Sequence, residues 1–299
     1  MEPNEASVRR RPPRWWRTRT LGINTASLPA TAEGMTSRVS WALAEGFGGI
    51  ELAATGRDGD LYAPQVKPDE RARLADLLAP FDAVAVQAPT QETLDVSLVS
   101  PSAAVRRASV AEIWSALRLA QAIRPGAIVT VRTGRAPRWV EPERRRDALA
   151  ECLATLDRMA GDHDVSVAVA AVDFFERPEH LALLEALPLR HTGIALDTGR
   201  FARRPGNGRR GAGGGIGDFV RTGAARLLHV HLHDADPEDD GLALGRGGLD
   251  VPALAAALEE VDYQGMVSFT FDRALVSPDQ IRDSKRRWER LATGAAGDR

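Results

Sequence analysis

The chain has 299 residues, of which 43% are hydrophobic and 27% are charged, and its net charge is -2. This length fits one large α/β domain with a sizeable core, and the small net charge argues against a surface built to bind nucleic acid. The single cysteine, Cys152, excludes an internal disulfide. No apolar run approaches the roughly 20 residues of a membrane helix, and no secretory signal follows the N-terminal arginines. We therefore expect a cytoplasmic protein without a membrane partner.

Residues 1–18 are polar, basic and proline-containing, which predicts a mobile, disordered tail preceding a domain over residues 19–295. Several arginines in this tail flank Trp15 and Trp16. They suit contact with an anionic surface or a partner protein. Alternatively, the tryptophans cover the underside of the domain and the arginines are solvated.

From Thr20 onward, short apolar runs alternate with amphipathic segments. The apolar runs predict strands within residues 21–27, 46–52, 83–89, 127–134, 165–171, 192–200, 226–234 and 266–271. Helices are predicted over residues 38–45, 68–78, 101–123, 141–160, 178–187, 251–261 and 277–291, with a short one before residue 226. Eight such alternations predict a single (β/α)8 TIM barrel, although an open doubly wound sheet alternates in the same way.

The runs at 192–200 and 226–234 each end in polar, chemically capable side chains. The carboxyl ends of parallel barrel strands are where active sites lie. His229, His231 and His233 alternate and so share one face of their strand. We expect His229 to be a hydrogen-bonded core residue, with the other two nearer the mouth.

Asp234, which follows these histidines, has the opposite parity along the strand and is expected to brace a loop. The Leu244–Gly247 segment lacks the lysine and the strand-loop-helix setting of a phosphate-binding loop. Its glycines are therefore expected to permit a tight chain path.

Several motifs, taken in order, carry a family resemblance. They are Gly46–Leu52, Val86–Pro89, Leu94–Ser97, Val131–Gly134, Leu196–Gly199, Val230–Asp234, Leu244–Asp250 and Asp262–Gly265. Over about residues 20–292 the chain resembles the xylose-isomerase-like barrels. These include sugar-phosphate isomerases and epimerases, inosose dehydratases, hydroxypyruvate isomerases and the apurinic-site endonucleases.

The resemblance implies a divalent metal held by a Glu, an Asp, a His and a second Glu from strands five to eight. Such a metal polarises a carbonyl, and the two glutamates shuttle a proton. Asp197 and His231 match the metal Asp and His, and they are the candidate catalytic and metal-binding residues. The two glutamate positions fall on Ala170 and Thr270. We therefore expect binding of manganese, magnesium or zinc to be weak or absent. Asp173 is the nearest acid to the strand-five gap.

The resemblance also places Gln87, Arg132 and Arg200 where relatives often have histidines. Arginine is neither a base nor a ligand at neutral pH, but it holds phosphate or carboxylate in a bidentate grip. These three residues are predicted to bind substrate, together with Glu51 and His233. In the alternative interpretation, Glu51 forms an ion pair with Arg132. The Arg/Gly-rich loop after residue 203 is either a solvated loop or a lid over an anionic ligand.

Two functions follow from these observations. The first is an isomerase, epimerase or lyase acting on a small polyhydroxy or phosphorylated compound. The second is a pseudoenzyme that keeps the barrel but serves as a binding or partner subunit. An apurinic-site endonuclease is disfavoured because it needs a three-metal cluster that this sequence lacks. Barrels of this type often pair, so a homodimer or a heteromer is expected.

Overall fold

The computed structural model describes residues 20–29, 34–57, 59–170, 184–203 and 215–292. The predicted tail at 1–18, Asp173, and most of the Arg/Gly-rich loop lie outside these residues. The predicted helix over 178–187 also lies largely outside them. Among the described helices, none is long and apolar enough to cross a membrane.

Eight parallel strands form a closed barrel in chain order, and the last of them pairs back with the first. Its strands are β1 (Thr20–Asn24), β2 (Gly49–Ala53), β3 (Ala83–Gln87), β4 (Ile128–Arg132), β5 (Ser166–Ala170), β6 (Thr192–Asp197), β7 (Leu227–Leu232) and β10 (Met266–Phe269). The predicted (β/α)8 barrel is confirmed, and its closure excludes the open doubly wound sheet.

Helices lie between the strands along the chain. They are α1 (Gly34–Ala44), α2 (Pro68–Leu78), α3 (Gln91–Leu94), α4 (Ala103–Ile123), α5 (Pro142–Asp162), α6 (Thr198–Ala202), α7 (Ile216–Gly223), α8 (Val251–Glu260) and α9 (Pro278–Ala292). The main core joins outward-facing strand residues such as Ile50 and Val129 to helix residues such as Ile113 and Leu117. Burial of these branched side chains is the main stabilising contribution.

Small side chains line much of the barrel interior. Ala85, Ala168, Ala170 and Ala195 form a second buried apolar cluster, together with Met266 and a few neighbours. Successive strand residues point to opposite faces, so these positions alternate with residues of the outer core. The alanines leave space inside the barrel for the larger polar side chains described below.

A two-stranded antiparallel hairpin was not predicted. It joins β8 (Asp234–Ala235) to β9 (Asp240–Leu242) directly after β7. Asp234 is fully buried and accepts hydrogen bonds from the backbone N–H groups of Ala235 (2.9 Å), Gly245 (2.8 Å) and Leu249 (2.9 Å). The prediction that Asp234 braces a loop is therefore confirmed.

Candidate functional site

The six residues that the family resemblance places at the active site lie at the carboxyl ends of the strands, as predicted. Gln87, Arg132, Ala170 and Asp197 are the last residues of their strands, His231 is the penultimate residue of β7, and Thr270 follows β10. The polar side chains near these positions form two groups, one at the mouth and one inside the barrel.

Asp197 is the centre of the group at the mouth. Its Oδ1 lies 2.9 Å from Nε2 of His233 and accepts the backbone N–H of Arg200 at 3.1 Å. Its Oδ2 lies 3.5 Å from Nη2 of Arg132 and 3.5 Å from Nε of Arg200. Asp240 completes the group, with Oδ1 3.1 Å from Nδ1 of His233. We call these five residues, together with Glu92, the mouth cluster.

The charges of the mouth cluster stabilise one another. Burial disfavours the charged forms, yet Asp197 and Asp240 raise the pKa of His233 to about 9. Against the same burial, His233 and then Arg132 and Arg200 hold the pKa of Asp197 far below its usual value. Asp197 is therefore a carboxylate at pH 7, and its charge favours the imidazolium form of His233, while the backbone N–H of Gly241 also lies 3.1 Å from Nδ1 of that ring.

The remaining mouth-cluster charges follow the same pattern. Glu92 is exposed, and although partial desolvation opposes its charge, hydrogen bonds at its own backbone and Thr90, then Arg132 and Arg200, lower its pKa. Three cations thus meet three anions within the cluster, so its formal charges cancel.

The Leu196–Gly199 motif forms the socket for His233. Asp197 is the last residue of β6 and the N-cap of α6, because its side chain accepts a hydrogen bond from the backbone N–H of Arg200 in the first turn. The hydroxyl of Thr198 donates to the carbonyl of His233 at 2.6 Å. A Cβ at Gly199 would lie 2.3 Å from Cε1 of His233, so only glycine lets this ring approach the helix start.

Glu51 is the centre of the interior group and is fully buried. Its Oε1 accepts the hydroxyl of Thr130 at 2.7 Å and lies 2.9 Å from Nε2 of His231. Its Oε2 accepts the hydroxyl of Ser268 at 3.1 Å and lies 3.5 Å from Nε2 of His229. Side chains from three other strands, β4, β7 and β10, therefore converge on the carboxylate that β2 supplies.

Burial opposes ionisation of Glu51, but His231 and His229 hold its pKa well below its usual value. For His229, burial is the larger effect and lowers the pKa despite the nearby Glu51. Burial therefore opposes charge on both partners of this contact, the carboxylate of Glu51 and the imidazole of His229.

Three expectations from the sequence need correction. Arg132 pairs with Asp197, so the predicted ion pair between Arg132 and Glu51 is wrong: Glu51 is held deeper, by imidazoles and hydroxyls. His229 was expected to be a hydrogen-bonded core residue; it is fully buried, but its contact with Glu51 is a long one of 3.5 Å at Nε2, and its Nδ1 has no partner among the described residues. Finally, the side chains of Asp197 and His231 contact different groups, although the two residues are register partners.

The metal centre implied by the resemblance does not fit the residues present. Ala170 and Thr270 supply no carboxylate at two of its four positions. The carboxylate of Asp197 already faces two guanidinium groups and an imidazolium, whose positive charges oppose a divalent cation beside it. Four-ligand metal chemistry of that type therefore has no support at the mouth.

Sequence reasoning missed four residues of the two groups. Thr130 and Ser268 could have been found, because each lies two residues before a predicted site position and so shares its face. No sequence pattern pointed to Glu92 or Asp240, since Glu92 precedes a long helix and Asp240 lies in the hairpin that was not predicted.

A cleft of about 290 Å³ lies on the outside of the barrel, between α4 and α5. Its lining includes Arg106, Glu151 and Cys152, and Arg106 donates to Glu151 at 2.9 Å. None of the mouth-cluster or interior-group residues contributes to it, so it is separate from the site described above.

Comparison with known proteins gives one family and many similar structures. The model of the family described as "xylose isomerase-like TIM barrel" matches residues 39–291. No curated protein sequence matches the chain. One similar structure is a D-tagatose 3-epimerase-like protein, with a TM-score of 0.74 and 20% identity over 93% of this chain and 100% of that one.

Two further structures show the same fold. A 3-keto-D-glucoside 4-epimerase from E. coli has a TM-score of 0.70 and 17% identity, over 90% of this chain and 98% of that one. An L-ribulose 3-epimerase has a TM-score of 0.68 and 18% identity, over 93% of both chains. At these identities the likeness establishes the fold alone.

Proposed function

The chain belongs to the xylose isomerase-like TIM barrel family, and from that premise we propose that its mouth binds a small, neutral polyhydroxy compound of the sugar class. The observation that carries the proposal is a set of unmet polar atoms. Oδ2 of Asp197, Nε of Arg132 and Nε of Arg200 are buried and lack hydrogen-bond partners among the described residues. Oδ2 of Asp197 and Nε of Arg200 lie 3.5 Å apart, which is too long for a good hydrogen bond, so the three atoms amount to one acceptor and two donors whose hydrogen bonding is unmet.

A sugar hydroxyl both donates and accepts hydrogen bonds, so vicinal hydroxyls match this set. Buried polar atoms are almost always paired in proteins, so these three favour a ligand or ordered water at the mouth. The cancelling charges of the mouth cluster favour a neutral ligand over an anion, since an added anion would leave the cluster with net negative charge. The similar structures include several sugar epimerases, which is consistent with this ligand class.

We further infer that the barrel does not use the two-glutamate isomerisation implied by the resemblance. That reaction needs a carboxylate on each face of the reacting carbon, and the two positions are Ala170 and Thr270. The function supported best is binding by a catalytically inactive homologue. An isomerase or epimerase using other bases is the alternative.

An anionic sugar is the second candidate ligand, because Arg132 and Arg200 are partly exposed at the mouth and a guanidinium binds phosphate or carboxylate well. For this ligand, the arginines would exchange contacts with Asp197 for contacts with the anion. The two candidates differ in charge alone, so one screen separates them.

A thermal-shift screen tests the proposal with neutral ketoses, sugar phosphates and sugar carboxylates. A ligand that binds the folded state raises the melting temperature by mass action. We expect neutral ketoses to raise it for the wild type, and Arg132→Ala and Arg200→Ala to lose that gain. Arg106→Ala is the matched control, because it removes an ion-paired arginine from the outer cleft. A response to anions alone would support the second candidate, and no response to any sugar would refute binding at the mouth.

A further inference from the structure

The interior group has a composition that the mouth lacks. Glu51, His229 and His231 place a carboxylate oxygen and two imidazole nitrogens within 4.8 Å of one another. All three side chains are at most 1% exposed. Two histidines and one carboxylate are a recurrent ligand set for zinc and for other first-row divalent metals.

The two imidazoles approach the carboxylate through the same ring atom. Nε2 of His231 lies 2.9 Å from Oε1 of Glu51, and Nε2 of His229 lies 3.5 Å from Oε2. Ligand atoms about 2.1 Å from a tetrahedral zinc ion lie about 3.4 Å from each other. The 3.5 Å separation at His229 is close to that spacing, whereas the 2.9 Å separation at His231 is a direct hydrogen bond that a shared ion would lengthen.

His229 supplies the independent observation. It is 0% exposed, its Nδ1 lacks a hydrogen-bond partner among the described residues, and its Nε2 lies 3.5 Å from Oε2 of Glu51, which is too long for a good hydrogen bond. Buried polar groups without partners are rare in folded proteins, and each calls for a specific explanation. A bound cation explains Nε2 of His229, because an imidazole nitrogen is among the commonest metal ligands in proteins.

The surroundings also suit an ion. On one side in the sheet Glu51 pairs with Ala85 and His229 pairs with Ala195, both with minimal side chains; on the other side their partners are Asn24 and Met266. Thr130 and Ser268 donate to the two oxygens of Glu51. Such outer hydrogen bonds orient a ligating carboxylate and fix its geometry.

We propose that Glu51, His229 and His231 bind one divalent ion of the zinc class inside the barrel, one layer below the mouth. This set shares only His231 with the centre implied by the resemblance, and it leaves Asp197 to the mouth cluster. The proposal is independent of sugar binding, because neither Glu51 nor His229 belongs to the mouth cluster.

Metal-stripped wild-type protein titrated with zinc by calorimetry, and with cobalt(II) by visible absorption, tests the proposal. We expect one equivalent to bind, with the absorption of a low-coordinate cobalt site. Glu51→Gln and His229→Gln should weaken zinc binding by more than the roughly 100-fold that loss of an outer hydrogen bond causes. Asp197→Asn is the matched control, because it alters the acid that a family-type centre would use, and its zinc affinity should match the wild type.

His229→Cys provides a second test, in which a new absorption band is expected to appear rather than metal binding to be lost. A thiolate ligand at this position should add a sulfur-to-cobalt charge-transfer band to the spectrum. Folded wild-type protein that binds no stoichiometric zinc or cobalt would overturn the proposal. So would zinc binding that His229→Gln leaves intact and Asp197→Asn removes, since that result places the ion at the mouth.

Discussion

Replacing Asp234 should destabilise the barrel through three specific hydrogen bonds. The side chain is fully buried, and its oxygens accept the N–H groups of Ala235, Gly245 and Leu249. A buried N–H left without an acceptor costs about 1–3 kcal/mol. Gly245 is exposed, so its N–H can hydrogen-bond to water instead. The N–H groups of Ala235 and Leu249 therefore account for most of the lost stability. We expect Asp234→Ala to lower the free energy of unfolding by about 3 kcal/mol, within the range that two such groups give.

Asp234→Asn separates the two oxygens. If the amide oxygen takes the place of Oδ1, it keeps the bonds from Ala235 and Leu249, and only the bond from Gly245 is lost. We expect a loss of about 1 kcal/mol for this variant. The control is Asp236→Ala, which removes a carboxylate that accepts two N–H groups at the exposed hairpin tip.

Urea denaturation measures all three variants, with the midpoint compared at unchanged slope. The predicted order of destabilisation is Asp234→Ala, then Asp234→Asn, then Asp236→Ala, which should lie within about 0.5 kcal/mol of the wild type. An Asp234→Ala variant no less stable than the Asp236→Ala control would refute the bracing role.

Two further predictions concern single positions. A Cβ at Gly247 would lie 2.1 Å from the carbonyl oxygen of Ala235. Gly247→Ala should therefore lower the midpoint of urea denaturation, because the backbone must move to make room. An unchanged midpoint would contradict this close approach. Burial raises the pKa of the Cys152 thiol to about 11, so at pH 8 little thiolate is present. Alkylation by iodoacetamide should be slow in the native protein and fast in urea, and equal rates by mass spectrometry would show an accessible thiol.

The sequence predicted the barrel because each buried parallel strand needs a continuous apolar run, and eight such runs stand in order. Strand ends were less well predicted. Strand one was extended to Ser27, but β1 ends at Asn24 and a short 3-10 turn follows. Apolar and small residues continue past a strand's last ladder hydrogen bond, so composition does not mark the end. The hairpin after β7 was missed because its strands have two and three residues.

Parity along β7 correctly placed the three histidines on one face, but it could not assign their partners. The resemblance suggested that Asp197 and His231 act as a pair of metal ligands, and the two residues are neighbours in register. Their contacts instead depend on the tilt of the strands, which sets how deep each side chain reaches and what it meets across the barrel. Glu51 comes from the far side of the barrel, and nothing in the sequence around β7 indicates that contact.

Binding without the family's proton transfer is the central claim for the mouth, and isotope exchange tests it most directly. The protein would be incubated in deuterated water with a neutral ketose that raises its melting temperature, with and without zinc or manganese, and the recovered sugar analysed by mass spectrometry. The two carboxylates that would exchange the carbon-bound proton are replaced at Ala170 and Thr270, so we predict no deuterium on carbon under either condition. Carbon-bound deuterium that requires the wild-type protein and disappears with Asp197→Asn would contradict the account and identify the barrel as an active isomerase or epimerase.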